Sequence, residues 1–191
     1  MTKIWTQSQI DETRTEALVS DYSNWELVRD NTRGVSRWVA DESGPLTVQV
    51  TSSHPPDDYF DASGIFVVSD RLRTLMREFG VVAEFLPLQL ARDEEVVVDD
   101  EFFCCNILEA VECFDFSQGE CTFHRVEGFT DRIDKILHLA IDEEVASLHA
   151  LFRIAKGGEY IVGVNDRLAE EIALAGLTGM EFIDPESWRI C

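Results

Sequence analysis

The sequence lacks any apolar run of the roughly 20 residues that a membrane-spanning helix needs. Its first residues, MTKIWTQSQIDETRTEA, also lack the apolar core of a secretory signal. Its five cysteines, an odd number, have no paired spacing, which is typical of proteins from a reducing compartment. We therefore expect a cytoplasmic chain that folds without disulfide bonds.

The short motifs of common chemistries are missing as well. The sequence has no phosphate-binding glycine-rich loop, no Gly-x-Ser-x-Gly elbow, no His-Glu-x-x-His and no calcium loop. Cys121 and His124 form a Cys-x-x-His pair, but positions i and i+3 of a strand lie on opposite faces and would not chelate one ion. Cys104 and Cys105 lie in the apolar run FFCCNIL and are expected in the core. No metal, cofactor or catalytic residue is predicted from these patterns.

Basic residues are scarce, since 16 Lys and Arg stand against 37 Asp and Glu and the net charge is −21. Residues 91–150 hold 16 of the acids and 4 of the bases, a charge of −12. Such a field repels nucleic acid and anionic membranes and attracts basic partners. The alternative is a charged surface that serves solubility alone. Binding to nucleic acid or membranes is therefore not expected.

One pattern occurs twice in the chain. Residues 65–85 read IFVVSDRLRTLMREFGVVAEF, and residues 161–182 read IVGVNDRLAEEIALAGLTGMEF. In each copy a β-branched run precedes Asp-Arg-Leu, an amphipathic stretch leads to a glycine, and Glu-Phe closes the unit. The matching residues are Asp70, Arg71, Leu72, Gly80, Glu84 and Phe85 in the first copy and Asp166, Arg167, Leu168, Gly176, Glu181 and Phe182 in the second.

Each copy predicts a strand, a helix and a strand. Ser69 and Asn165 stand where a side-chain oxygen can cap the first helical N–H groups. The glycine at the end of each amphipathic stretch suits a left-handed cap, and Gly179 suits the turn that follows. The two arginines after the first-turn Asp are expected on a solvated helix face. The fold class is therefore predicted as α+β, a mixed sheet with packed helices and two similar strand-helix-strand units.

Other segments give weaker signals. LTVQVT at 46–51, TFHRV, KILHLAI and ALFRI are predicted strands, and ALFRI should pair with EYIVGV as a hairpin through Gly157-Gly158. The acidic residues 92–101 are predicted to form a loop.

The domain prediction divides the chain after residue 60. Residues 1–60 are predicted as an N-terminal extension or small lobe, anchored by Trp5, Trp25 and Trp38, with a turn at Pro55-Pro56. Residues 61–191 are predicted as the main α+β domain, and the whole as one compact unit.

Three blocks of sequence, in this order, resemble immunity protein family eleven of bacterial polymorphic toxin systems, formerly a domain of unknown function. They are GIFVVSDRLRTLMREFGVVAEFLPLQL, EFFCCNILEAVECFDFSQG and ALFRIAKGGEYIVGVNDRLAEEIALAGLTGMEF, and the resemblance as a whole covers about residues 54–185. The family pattern is retained at Asn106, Leu108, Asp115, Ser117, Gly176, Gly179 and Phe182. Cys113 stands where the family has an acid, with Glu112 shifted by one position.

The resemblance implies an immunity protein, encoded beside a toxin, that protects the producing cell by binding the toxin domain. Such proteins act by occupancy and need no nucleophile, metal or cofactor. Toxins of these systems are often nucleases with basic clefts, which an acidic inhibitor suits. We predict the contact on ARDEEVVVDDEF, with the candidate toxin-binding residues Asp93, Glu94, Glu95, Asp99, Asp100 and Glu101.

Two other functions stay open. One is a small cytosolic enzyme with its site at a sheet edge and Asp115, His124 or His138 as acid or base. The other is an acidic scaffold that binds basic secretion machinery. A toxin-bearing gene beside this one favours immunity, whereas a metabolic operon favours the enzyme.

Overall fold

Two sheets and a separate hairpin make up most of the structure. The computed structural model describes residues 1–8, 14–19, 46–92, 95–124, 132–156 and 158–188, with the backbone alone at 95–100, 124 and 132. The strands are β1 (Thr2–Gln7), β2 (Ala17–Val19), β3 (Leu46–Val50), β4 (Tyr59–Ala62), β5 (Ile65–Ser69), β6 (Ala83–Arg92), β7 (Glu95–Ile107), β8 (Ala110–Val111), β9 (Glu120–His124), β10 (Arg132–His138), β11 (Leu151–Ile154), β12 (Val162–Asn165) and β13 (Met180–Ile183). The helices are α1 (Asp70–Glu78), α2 (Glu143–Ala146) and α3 (Asp166–Leu174), and a 3-10 turn spans Pro185–Ser187.

The strands pair in a mixed topology. One sheet has the order β2-β3-β6-β7-β5-β4, the other has the order β13-β1-β12-β11-β8, and β9 pairs with β10. Neighbours are antiparallel except for the pairs β3 with β6 and β8 with β11. The predicted α+β class with a mixed sheet and packed helices is confirmed.

Both copies of the repeated pattern fold as predicted, as β5-α1-β6 and β12-α3-β13. Ser69 Oγ accepts a hydrogen bond from the N–H of Leu72 at 3.2 Å, and Asn165 Oδ1 accepts one from the N–H of Leu168 at 2.9 Å. Each helix therefore begins at the same type of cap, with an aspartate in its first turn.

The two helices also end alike. Gly80 and Gly176 have φ angles of 71° and 63°, the left-handed region that glycine adopts without steric cost. The N–H of the residue after each glycine donates to the carbonyl five positions earlier, at 3.0 Å in the first copy and 3.2 Å in the second. This is the Schellman arrangement, which satisfies carbonyls that a helix end would leave free.

Each copy takes a third strand from elsewhere in the chain, and the sequence pattern does not predict it. In the first copy β7 lies between β5 and β6, and in the second β1 lies between β12 and β13, antiparallel to both neighbours in each case. Equivalent residues pair with the central strand in each copy. Phe85 pairs with Cys105 of β7, and its counterpart Phe182 pairs with Trp5 of β1. The repeated unit therefore includes a central strand that shows no sequence similarity between the copies.

The helices of the two copies contact each other at both ends. Arg71 Nη2 donates to the carbonyl of Ala175 at 2.9 Å, at the end of α3. The Arg167 guanidinium lies over the ring of Phe79 at 5.2 Å, at the end of α1. The start of each helix thus meets the end of the other, so the pair is antiparallel. Both arginines are exposed as expected, but each also contacts the opposite helix.

The buried side chains form three layers. The central layer lies between the sheets and around both long helices, where it includes Leu72, Met76, Leu168, Ile172 and Trp5. A second cluster covers the other face of the six-stranded sheet, and a third lies between the five-stranded sheet, the β9-β10 hairpin and α2. Neighbouring residues of a strand point to opposite faces, so Cys105 belongs to the central layer and Cys104 to the second.

The N-terminal segment takes part in both sheets. Trp5 lies in the central layer with its ring edge-on to Tyr59 and Phe182, at 5.2 and 5.4 Å, and not in a separate small core. Trp25 and Trp38 lie outside the described residues. The division after residue 60 stays a prediction.

Most of the predicted strands are confirmed. They correspond to β3, β9, β10 and β11, and β11 pairs with β12 as the expected hairpin. The predicted loop at 92–101 is wrong. Residues 95–101 continue β7, because the β-branched Val96 and Val98 pair with Ala91 and Leu90 of β6.

Asp58, which precedes β4, joins the two copies and is only 8% exposed. Its Oδ1 accepts from Ser69 Oγ at 2.6 Å, at the start of α1, and its Oδ2 accepts from the N–H of Thr178 at 3.1 Å, after α3. The backbone after α3 and the backbone of β4 approach so closely here that a Cβ on Gly179 would lie 1.9 Å from the carbonyl oxygen of Tyr59. Only glycine fits at this position, and the φ angle of 94° at Gly179 also favours glycine.

Replacing Asp58 by Ala should lower the free energy of unfolding by about 2–4 kcal/mol, because it removes the acceptor of the buried Ser69 hydroxyl and of the Thr178 N–H. The matched control is Asp184→Ala, which breaks an exposed ion pair with Lys3 and should leave stability nearly unchanged. Urea unfolding followed by circular dichroism measures both variants. Equal effects of the two changes would contradict a special role for Asp58.

Candidate functional site

The acidic segment forms the far part of a hairpin made by β6 and β7. Arg92 pairs with Glu95, so the chain reverses direction between these two residues. Asp93 and Glu94 lie outside the described residues. The backbone of Glu95, Asp99 and Asp100 is part of β7, and the side chain of Glu101 is exposed. The structure therefore places the described members of the predicted acidic contact on one strand.

The inner half of this hairpin is fixed in the sheet. Leu88 and Leu90 of β6 and Phe102 of β7 are buried in the second core layer. Arg92 Nη2 donates to the carbonyl of His54 at 2.8 Å, which holds the last residue of β6 against the loop before β4. The described acidic residues of β7 thus extend the six-stranded sheet.

A second acidic feature is a groove of about 580 Å³ beside the five-stranded sheet. Asp115 and His138 both line it, so the structure brings together two of the three candidate acid-base residues. The carboxylates of Glu143, Asp184 and Glu186 line the same groove. The third candidate, His124, pairs with Arg132 at one end of β10, whereas His138 lies at the other end, roughly 20 Å away along the strand.

The carboxylates of this groove have structural partners. Glu143 accepts from the N–H of Thr2 at 2.9 Å and from its hydroxyl at 3.1 Å, and Asp184 pairs with Lys3 at 2.7 Å. These bonds attach α2 and the 3-10 turn to β1. The groove therefore presents negative charge that is held in place by the fold.

Asp115 is poorly suited to general acid-base catalysis at neutral pH. Its Oδ1 accepts from the side chain and the N–H of Ser117, at 2.7 and 2.8 Å, and these hydrogen bonds lower the pKa of the carboxyl below its usual range. An efficient catalytic acid or base has a pKa near the working pH, which for a carboxyl requires a shift upward. The bonds are those of a turn that the carboxylate stabilises.

The residues retained from the family pattern mainly support the fold. Asn106 is fully buried in β7, and its Nδ2 donates to Glu84 Oε2 of β6 at 3.3 Å. Asp115 organises a turn, Gly179 permits the close approach to β4, and Phe182 packs on Trp5. The sequence pattern thus marks positions that shape the molecule.

Three of the described cysteines are buried, namely Cys104, Cys105 and Cys113. Burial was predicted for Cys104 and Cys105. Burial raises the pKa of Cys105 and of Cys113 to about 12 each, and it raises the pKa of Cys104 as well. A nucleophilic or metal-binding cysteine has to be deprotonated, which these thiols are not at neutral pH. Within the described residues no group of three His, Cys, Asp or Glu side chains could hold a metal ion.

At pH 8, iodoacetamide should alkylate Cys104, Cys105 and Cys113 only after the protein is unfolded, because burial both shields the thiols and keeps them protonated. Cys121, which is partly exposed, should react first among the four and serves as the internal control. Peptide mass spectrometry of native and urea-treated samples gives the order. Rapid labelling of a buried cysteine in the native protein would contradict this assignment.

Two residues that matter here escaped the sequence reasoning. One is Asp58, which joins the two copies of the repeated unit. The other is Arg153, which is 4% exposed and donates to the carbonyls of Ile107 at 3.1 Å and Glu159 at 2.7 Å. Burial lowers the pKa of Arg153 from its usual value. Neither residue belongs to a sequence motif, because the groups that they bond are distant in the sequence or are groups of the backbone. The only available signal was a charged residue within an otherwise apolar run, as in ALFRI.

Comparison with protein families shows which family the chain matches. The chain matches the family model described as Immunity protein family (Imm11) over residues 9–187 of 191. A search of curated proteins finds no match. In the described part of the chain, no helix has the length and apolar character needed to cross a bilayer.

Proposed function

Because the chain belongs to the Imm11 immunity protein family, we propose that it neutralises a basic, nuclease-type toxin domain by binding it 1:1 and occluding its active-site cleft. The toxin-neutralising role follows from the family. The observation that carries the finer proposal is the charge of −21, with −12 of it on residues 91–150. A nuclease cleft binds phosphates with basic side chains, so an acidic protein complements it.

The proposed contact is the acidic hairpin, defined here as residues 92–101. Its six acids are Asp93, Glu94, Glu95, Asp99, Asp100 and Glu101. Long-range attraction by such a group raises the rate of encounter with a basic partner by 10-fold or more at low salt. The paired backbone of β6 and β7 supports the proposal, because ordered strands add little entropy cost on binding.

We infer that the protein acts by occupancy in the cytoplasm and needs no cofactor. Buried, protonated cysteines and an Asp115 with a lowered pKa support an inhibitor that carries out no reaction. Free cysteines support the location.

The enzyme stays a second candidate, since the groove brings Asp115 and His138 together. Replacing His138 by Gln separates the two functions. Under the binding proposal protection is unchanged, whereas an enzyme would lose its activity while keeping its fold.

Co-expression of this chain should rescue a host from the toxin domain encoded beside it, and the purified pair should form a 1:1 complex. Light scattering after size-exclusion chromatography gives the stoichiometry, and calorimetry at 50 and 300 mM salt gives the affinity. We expect affinity to fall as salt rises, because charge attraction contributes to binding. Absence of a complex even at low salt would end the proposal.

Replacing the six acids of the acidic hairpin by Asn or Gln should slow association by about 10-fold or more and flatten its salt dependence. A matched comparison uses three acids of the hairpin, Asp99, Asp100 and Glu101, against three exposed helix acids, Glu78, Glu170 and Glu171. Stopped-flow or surface plasmon resonance gives the rates. If both triple variants slow association equally, net charge acts without a local contact, and the interface lies elsewhere, with the Trp-bearing N-terminal region as the next candidate.

A further inference from the structure

Two exposed phenylalanines stack on each other beside the groove. Phe116 is 56% exposed and Phe123, on β9, is 49% exposed. Their ring centroids lie 5.9 Å apart with an angle of 20° between the planes. Neither residue belongs to the three buried layers or to the acidic hairpin, so the pair leaves apolar surface in water at a cost. Clustered exposed aromatic side chains are typical of protein-binding surfaces.

Phe116 is held in place by the turn that Asp115 organises. Asp115 Oδ1 accepts two hydrogen bonds from Ser117, and the carbonyl of Asp115 accepts one from the N–H of Gly119 at 2.7 Å. Below the turn, the buried ring of Phe114 contacts Phe116 at a centroid distance of 4.8 Å. A Cβ on Gly119 would lie 2.6 Å from the Phe114 ring, so the turn closes tightly over it. Phe116 is therefore ordered before any partner binds.

The surroundings of the pair carry more acids than bases. Residues 112–123 contain Glu112, Asp115 and Glu120 and no Lys or Arg, and of these acids Glu112 pairs with Lys156 at 2.7 Å. Opposite them on β10, the exposed Asp134 accepts a hydrogen bond from the Thr122 hydroxyl at 3.5 Å, and Lys135 lies in register with Thr122. An aromatic surface with a negative rim complements a Lys or Arg side chain, which binds ring faces through cation–π contacts and carboxylates through its charge.

We propose that the Phe116–Phe123 pair is the apolar anchor of the toxin interface and receives a Lys or Arg, with its apolar stem, from the basic toxin surface. This inference rests on the proposed function and adds to it. The acidic hairpin governs how fast the partners meet, whereas the aromatic pair governs how long they stay together. A few central aromatic residues carry most of the binding energy of many interfaces, with charged residues around them.

The test measures binding of a catalytically inactive form of the neighbouring toxin domain to the full chain. Phe116→Ala/Phe123→Ala should raise Kd by about 30-fold or more, mainly through faster dissociation. Leu148→Ala and Leu174→Ala are controls, since these residues are 81% and 80% exposed elsewhere on the protein and should change Kd by less than about 2-fold. Thermal unfolding verifies that all variants fold. If the double variant does not fold, Phe116→Ala alone replaces it, with the same expected direction.

The outcomes are distinct. If the wild-type chain binds no toxin domain, the proposed function fails and not the anchor alone. If the wild type binds and the Phe variant binds with unchanged Kd and dissociation rate, the anchor proposal is overturned while the function stands. If sedimentation shows that the pair instead holds two copies of this chain together, with toxin binding unaffected by the variant, the anchor proposal is likewise overturned.

Discussion

The fold depends on one buried carboxylate. Asp58 is 8% exposed and accepts hydrogen bonds from the start of the first repeated helix and from the turn after the second. A buried charge is costly unless it is fully bonded, so Asp58 favours only arrangements that bring both partners to it. Arg71 strengthens the same junction, because it reaches Asp58 at 3.5 Å and the end of α3 at 2.9 Å. These bonds hold the two copies together at their junction.

Several basic side chains stabilise the backbone directly. Arg71, Arg92 and Arg153 all donate to backbone carbonyls, at the end of a helix, beside a loop and in the buried interior. Ion pairs such as that of Lys156 with Glu112, at 2.7 Å, can neutralise fewer than half of the 37 acids, because the chain has only 16 Lys and Arg. The protein therefore keeps its strong negative field while its few cations contribute to stability, and this combination suits a molecule whose partner is basic.

The local part of the fold could be predicted, and the long-range part could not. Ser69, Asn165 and the two capping glycines act within a few residues of themselves, so their pattern specifies both helices. The central strand of each copy comes from a distant segment, as when Thr2 pairs with Asn165, and no periodicity reveals such a partner. The acidic segment was predicted as a loop because its charge outweighed the two valines, Val96 and Val98, that pair with β6. At the candidate site, Asp115 and His138 were named from the sequence, but their shared groove and the exposure of Phe116 arise only from tertiary packing.

The position of β1 determines when the molecule can be completed during synthesis. This strand is translated long before both of its neighbours, β12 and β13. At roughly 5–20 residues per second, the intervening stretch of about 160 residues takes on the order of 10 to 30 s to translate. Until then Trp5 has no sheet to pack in, and long-range pairings of this kind form slowly. The fold is therefore complete only after β12 and β13 have been made, so a cell exposed to the toxin depends on immunity protein that it has already folded.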